Sequence, residues 1–235
     1  MTDLVEMYAT LVGWDIAETN VLVEGTMDVS YLKHASLLHA QAHGIQVIDS
    51  DFAIIASGEG DDGGVHGVNR ALIGIRQNID ATVMSGGKRH RFVGLYDNDY
   101  AGRNAYNVMP LTDTRIRPFV DVFLLQPVMP PVGNGLTDRQ LAATGLNMGY
   151  RGMDWEVEDL CSHRILEEFE RRHPAAVVNR VAMKDRLHRD IDRSAKPELI
   201  KLFKETATVD DARDMLALMK LLRGYLGVAN GDIRA

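Results

Sequence analysis

The sequence predicts an α/β fold, a parallel-rich sheet with helices on both faces. Two apolar runs, Val21 to Val23 and Val93 to Tyr96, each stop abruptly in acid and glycine. That is how a buried parallel strand delivers carboxylates to a sheet edge. Between and after them, apolar residues recur at helical spacing, so strand and helix alternate as in βαβ units.

Residues 2 to 13 place Leu4, Val5, Tyr8, Leu11 and Val12 on one stripe, which predicts a short amphipathic helix before the first strand. After Val23 come Glu24, Gly25 for a tight turn, and Asp28 in the first turn of the next helix, which runs through Tyr31, Leu32, Ala35 and Leu38 until Gly44 ends it. Ile45 to Ala56 predicts a second strand, or two short ones broken at Asp49 to Asp51. The loop Ser57 to Gly64 holds four glycines and three acids. It lacks the Gly-Lys-Ser/Thr of a Walker loop, so it reads as solvated or lid-like, with Asp61 and Asp62 as secondary metal candidates. Val65 to Ile79 predicts a helix, and Ser85 to Arg91 a basic turn into the second acidic strand.

That strand ends in Asp97-Asn98-Asp99, where two carboxylates flank one residue and reach the same side of an extended segment. A helix opens at Ala101-Gly102-Arg103, with Pro110 as its stop and Arg103 placed to meet a phosphate or a surface acid. Residues 117 to 126 predict another buried strand, and 127 to 152 an irregular cover. Glu156-Val157-Glu158-Asp159 then introduces an apolar-periodic helix, where acids also complement the helix dipole. Residues 175 to 226 read as wholly helical, Pro174 and Pro197 marking helix starts. Arg186, Arg189, Arg193, Lys196, Lys201 and Lys204 make this the basic region, a solvated helical face or a partner face.

Four carboxylates, Glu24, Asp28, Asp97 and Asp99, are thus expected where two neighbouring strands stop. Unpaired, they would repel one another and hold protons; hard divalent cations such as Mg²⁺ relieve this with oxygen ligands. Glu24-Gly25 with Asp28, followed by Asp97, Asp99 and Gly102, resembles the TOPRIM domain shared by topoisomerases, bacterial primases and OLD-family nucleases, over residues 17 to 160. Glu156 to Asp159 resembles the Glu-Ile-Glu-Asp motif of the OLD-like and antiphage branch.

The resemblance implies a metal-dependent endonuclease acting on DNA or RNA, with Glu24, Asp97 and Asp99 catalytic. Two Mg²⁺ or Mn²⁺ ions would be held by Glu24, Asp97 and Asp99, with Asp28, Glu158 and Glu156. OLD nucleases carry an ATPase domain in the same chain, whereas this sequence has no ATPase signature. That implies an ATPase sensor acting in trans, as in PARIS-type phage defence, and a homodimer is a further expectation. A primase-like nucleotidyl transferase and a non-enzymatic adaptor are the alternatives.

The 235 residues, 46% hydrophobic, supply core enough to fold. We expect a catalytic domain over 1–160 and a helical C-terminal subdomain over 161–235. The first carries a net −10 and the second +3, which counts against tight duplex binding by the isolated chain. No apolar run approaches the ~20 residues of a membrane helix, so a cytoplasmic protein is expected. The single cysteine, Cys161, reads as a buried thiol.

Overall fold

The computed structural model describes residues 3–58, 63–84, 90–133, 135–231 and 233. Four parallel strands, β1 (Thr19–Val23), β2 (Phe52–Ala56), β3 (Arg91–Tyr96) and β4 (Val122–Leu124), form a sheet in the order β2-β1-β3-β4. Leu22 of β1 is level with Ile55 on one side and Gly94 on the other. All of β1 is buried, and its side chains alternate between two cores: Val21 and Val23 face one, Leu22 the other. Burial on both faces is why the strand reads as an unbroken apolar run.

Three helices make the crossovers: α2 (Thr26–His43), α3 (Gly64–Met84) and α4 (Tyr100–Thr112). The chain passes from β1 to β2 in one direction and from β3 to β4 in the other. The boundary between β1 and β3 is therefore a topological switch point, and the crevice beyond their carboxyl ends is where open α/β sheets bind ligands. Gly44, at φ 74, ends α2 in the left-handed conformation that glycine adopts without strain. Gly94 lets α3 lie against β3, since a Cβ there would come within 2.8 Å of Val68 and 2.9 Å of Leu72.

On one face, α1 (Leu4–Leu11), α3 and α4 cover the sheet. On the other, α2 packs with α6 (His163–Arg172), α7 (Lys196–Thr206) and α8 (Arg213–Leu226) around a core that runs from Val21 to Leu226, across position 160. Cys161 is buried in that core, and burial pushes its thiol pKa up. Among the described residues no helix is long and apolar enough to cross a membrane.

The C-terminal region is not wholly helical. β5 (Val177–Met183) and β6 (Arg186–Ile191) form an antiparallel hairpin around Lys184 and Asp185, with Lys184 at φ 49. Val177, Val178 and Val181 fit helical spacing, but β-branched residues favour the pleated conformation. The hairpin also gains partners distant in sequence: His188 Nδ1 bonds Asp159 Oδ2 at 2.8 Å, and Arg189 Nε donates to Glu170 at 3.1 Å. Pro174 therefore precedes a strand, whereas Pro197 does stand in the first turn of α7.

Smaller differences have local causes. The irregular cover contains α5 (Leu136–Asn147) and a 3-10 turn, Met148–Tyr150. Strand β2 is confined to Phe52–Ala56 because Asp49 turns back and accepts from the amides of Asp51 and Phe52. The strand expected over 117–126 shrinks to Val122–Leu124, because the chain before it turns tightly at Phe119, φ 61. Pro110 does not stop α4, which continues to Thr112. Glu158 and Asp159 lie in a 3-10 turn, Val157–Leu160, and α6 begins only after Ser162, whose Oγ accepts from Ile165 N.

Candidate active site

Glu24 leaves β1 and Asp97 leaves β3 on adjacent strands, so the switch point brings them together: the Asp97 amide donates to Glu24 Oε1 at 3.1 Å. Asp28 comes from the first turn of α2, where it is buried and accepts from Gly25 N at 2.8 Å. Asp99 caps α4, accepting from Gly102 N at 2.6 Å. From the far side of the core the Val157–Leu160 turn supplies Glu158, which is buried, with Glu156 just before it.

These groups act on one another electrostatically. Burial is the main cause that raises the Glu24 pKa to about 7, with Asp28, Asp99 and Glu156 adding repulsion against the Asp97 hydrogen bond. Asp28 also reaches about 7, through burial first and then Glu158. Asp97 is pushed up by burial and by Asp28, Glu24, Glu158 and Glu156 together. Five acids therefore share one field, with Asp99 at its border.

Among the described residues, one cation enters this cluster. Lys196, at the start of α7, donates from Nζ to Glu156 Oε2 at 2.9 Å and lies 3.2 Å from Glu158 Oε1. Burial alone would lower its pKa, but Glu158 and Glu156 hold it well above the usual lysine value. The sequence suggested a solvated basic face for Lys196, and the structure corrects this. Arg189 is likewise buried, against Glu170, and Arg186 pairs with Asp214. Arg103 is engaged too: it bridges Asp154 at 2.8 Å and donates to Asn98 O at 2.5 Å. Those bonds brace the Asp97–Asp99 turn, as does the pair of backbone bonds between Asn98 and Trp155.

The Glu156–Asp159 motif divides its labour. Glu156 and Glu158 turn towards Lys196, whereas Asp159 is structural, accepting from Glu156 N at 2.9 Å and tying the turn to His188. Asp61 and Asp62 lie outside the described residues, as does most of the basic turn at 85–89.

The donor set is carboxylate oxygen throughout, which suits hard Mg²⁺ or Mn²⁺. The Tyr31 hydroxyl is buried without a hydrogen-bond partner, within the field of Glu158 and Asp28, so an unsatisfied polar group stands beside the cluster. No three of the six acids bring ligand atoms within 4.8 Å of one another. Among the described residues, the group of three ligand side chains with atoms all within 4.8 Å of one another lies elsewhere, at Asp3, Glu6 and His90.

No protein-family model, curated protein or solved structure matches the chain. The functional reading therefore rests on geometry and on the motif resemblance.

Gly102 is the tightest point of the site, since a Cβ there would stand 1.9 Å from the Asp97 carbonyl oxygen. Gly102→Ala is expected to open the turn that holds Asp97 and Asp99, costing about 1–3 kcal/mol as overpacking does. Gly145→Ala in α5, where a Cβ would meet nothing within 4 Å, should stabilise by about 0.5–1 kcal/mol. Urea midpoints of the two variants beside wild type measure both.

Proposed function

We propose that the chain is a TOPRIM-like, metal-dependent nuclease that hydrolyses phosphodiester bonds of DNA or RNA. The observation that carries this reading is the convergence of Glu24, Asp28, Asp97, Glu156 and Glu158 at the switch point, with burial raising the pKa of Glu24, Asp28 and Asp97. Such a cluster is poor design for a merely folded protein and suits one that receives cations.

In this reading Glu24, Asp97 and Asp99 would hold one Mg²⁺ or Mn²⁺, and Asp28 with Glu158 and Glu156 a second. Bound there, the ions would supply an activated water and charge stabilisation at the leaving oxygen. The protein's own part is positional. The Asp97 amide orients Glu24, the Gly25 and Gly102 amides fix Asp28 and Asp99, and Arg103 with Asp154 braces the turn. Lys196 tethers Glu156 and Glu158 and would offer its ammonium to a phosphate arriving at the acids. Glu24 serves either as ligand or as proton acceptor, since an ion bound to it would keep it ionised.

A groove of about 1020 Å³ adjoins Thr26 and Ser57; Lys33 and Lys204 stand on walls that are largely apolar and include Asp15, and none of the six acids lines it. The negative first 160 residues fit a site that binds cations before substrate. The ATPase sensor in trans, a homodimer and a role in antiphage defence belong to the same proposal through the motif resemblance.

The test is cleavage of labelled plasmid, single-stranded DNA and total tRNA with Mg²⁺, Mn²⁺ or EDTA, beside Glu24→Gln and Asp97→Asn. Metal-dependent cutting that falls at least ~100-fold in both variants is expected from losing a group that stabilises the transition state. Cutting that survives in both variants, or in EDTA, would overturn the reading.

A further inference from the structure

We propose a second metal site, at the opposite edge of the sheet from the acidic cluster, in which Asp3, Glu6 and His90 bind one Zn²⁺-like transition-metal ion. Ligand atoms of these three side chains lie within 4.8 Å of one another. His90 immediately precedes β3, whereas Asp97 follows it, so the six residues of that strand put ~20 Å between the two sites.

The imidazole carries the argument. His90 is buried, with 6% of its surface exposed. Its Nδ1 sits 2.9 Å from the carbonyl oxygen of Ala17. A carbonyl only accepts, so Nδ1 must carry the proton. Nε2 of the neutral ring then holds a lone pair, and Nε2 is buried with no hydrogen-bond partner. A backbone carbonyl that fixes the tautomer through one nitrogen, leaving the other for the ion, is the usual outer-shell arrangement of a metal-bound histidine. An empty Nε2 within a purely structural core would be an unsatisfied polar atom.

The carboxylates are preset in a similar way. Asp3 caps α1, and its Oδ1 accepts from Val5 N at 2.8 Å and from Thr82 Oγ1 at 3.4 Å, which leaves Oδ2 available. Glu6 stands one turn along the same helix face and is exposed, so an ion could enter from solvent. One imidazole nitrogen and two carboxylates supply three protein ligands, the number zinc takes with a water in the fourth position, and the nitrogen disfavours Mg²⁺ and Ca²⁺, which prefer oxygen alone. The ion would clip the start of α1 to β3 beside the end of α3.

The experiment is Zn²⁺ binding to the chelator-stripped full chain, by equilibrium dialysis with an indicator and by thermal melting, for wild type, Glu6→Gln, His90→Gln and Asp97→Asn. Glu6→Gln is the decisive variant because the side chain is exposed and the change preserves the helix. The expected result is that wild type binds at least one Zn²⁺ equivalent, of which one is kept in Asp97→Asn and weakened about 100-fold or more in Glu6→Gln and His90→Gln, since loss of a direct ligand exceeds the 10- to 100-fold cost of losing an outer-shell partner. At a hundredfold excess over Kd, Zn²⁺ should raise the Tm of wild type by about 5–10 °C and leave Glu6→Gln nearly unmoved. Wild-type affinity in Glu6→Gln, no binding by wild type, or loss of the equivalent in Asp97→Asn alone would each overturn the proposal.

Discussion

Chelator-treated protein is expected to lose stability as pH rises from about 4.5 to about 7, and Mg²⁺ or Mn²⁺ should restore it at the upper end. Glu24 and Asp28 move from ordinary carboxylate values, 4.5 and 3.8, to about 7 in the fold, chiefly through burial. Within that window the folded chain keeps protons that the unfolded chain has released. Raising the pH therefore favours unfolding. At about 1.36 kcal/mol per unit, the moves of the two groups to about 7 amount together to at most about 8 kcal/mol. Asp97 acts in the same direction. Acids with depressed values, such as Asp113 and Glu168, each at about 2, behave oppositely: their stabilisation is lost only as pH falls below about 4, outside the window. His188 sits above its usual value; burial lowers it, but the Asp159 hydrogen bond and charge outweigh that. Its contribution is full below about 6.5 and fades as pH rises through the raised value. Urea unfolding at pH 5, 6, 7 and 8, with EDTA or Mg²⁺, measures the slope, and Asp28→Asn should flatten it. A metal-free profile that is level or rises through this range would show that the acids are not crowded as described.

The parts of this site that the sequence made readable are those carried by one continuous segment. Val21 to Asp28 and Val93 to Gly102 each hold a buried strand, a turn and a helix start, so strand chemistry and turn chemistry agree on where Glu24 and Asp97 must lie. Their adjacency follows once β1 and β3 pair. The acids at 156 and 158 could be flagged by type, but their approach to the same point depends on the common core beneath α2 and α8.

Lys196 is less accessible, because it lies 40 residues beyond Glu156 and the chain from Val177 to Ile191 is a hairpin rather than a helix. Reading 175 to 226 as helix placed its basic residues on one imagined face, whereas the hairpin sends Arg189 to Glu170 and α7 brings Lys196 to the acids. The turn residues Lys184 and Asp185, between valine-rich and alternating segments, were the available signal for the hairpin. Asp3, Glu6 and His90 form no contiguous motif at all. Only the packing of α1 against α3 and the start of β3 joins them.

Lys196→Met should be the most damaging single change near the site. The substitution keeps much of the apolar stem and removes only the charge, so a loss can be assigned to electrostatics rather than to a cavity. Glu158 is buried and would be left facing Glu156, Asp28 and Asp97 without a cation. Removing one partner from a buried ion pair costs about 3–5 kcal/mol, more than the pair itself contributes. The variant should therefore lose about that much stability at pH 7 in EDTA and less at pH 5, where the acids share protons. Adding Glu158→Gln should return part of the loss, since the uncompensated charge disappears with it. Divalent cations should also rescue the fold of Lys196→Met, by replacing one cation with another. If Lys196 acted only as a structural counter-ion, cleavage by the metal-rescued variant would return with its stability. If the ammonium also meets the phosphate, stability returns and the cleavage rate stays low, by roughly the 10²–10³-fold that follows removal of one stabilising donor. Paired urea and cleavage measurements on one preparation separate these outcomes. Equal stability of wild type and Lys196→Met in EDTA would instead place Lys196 outside the acidic field.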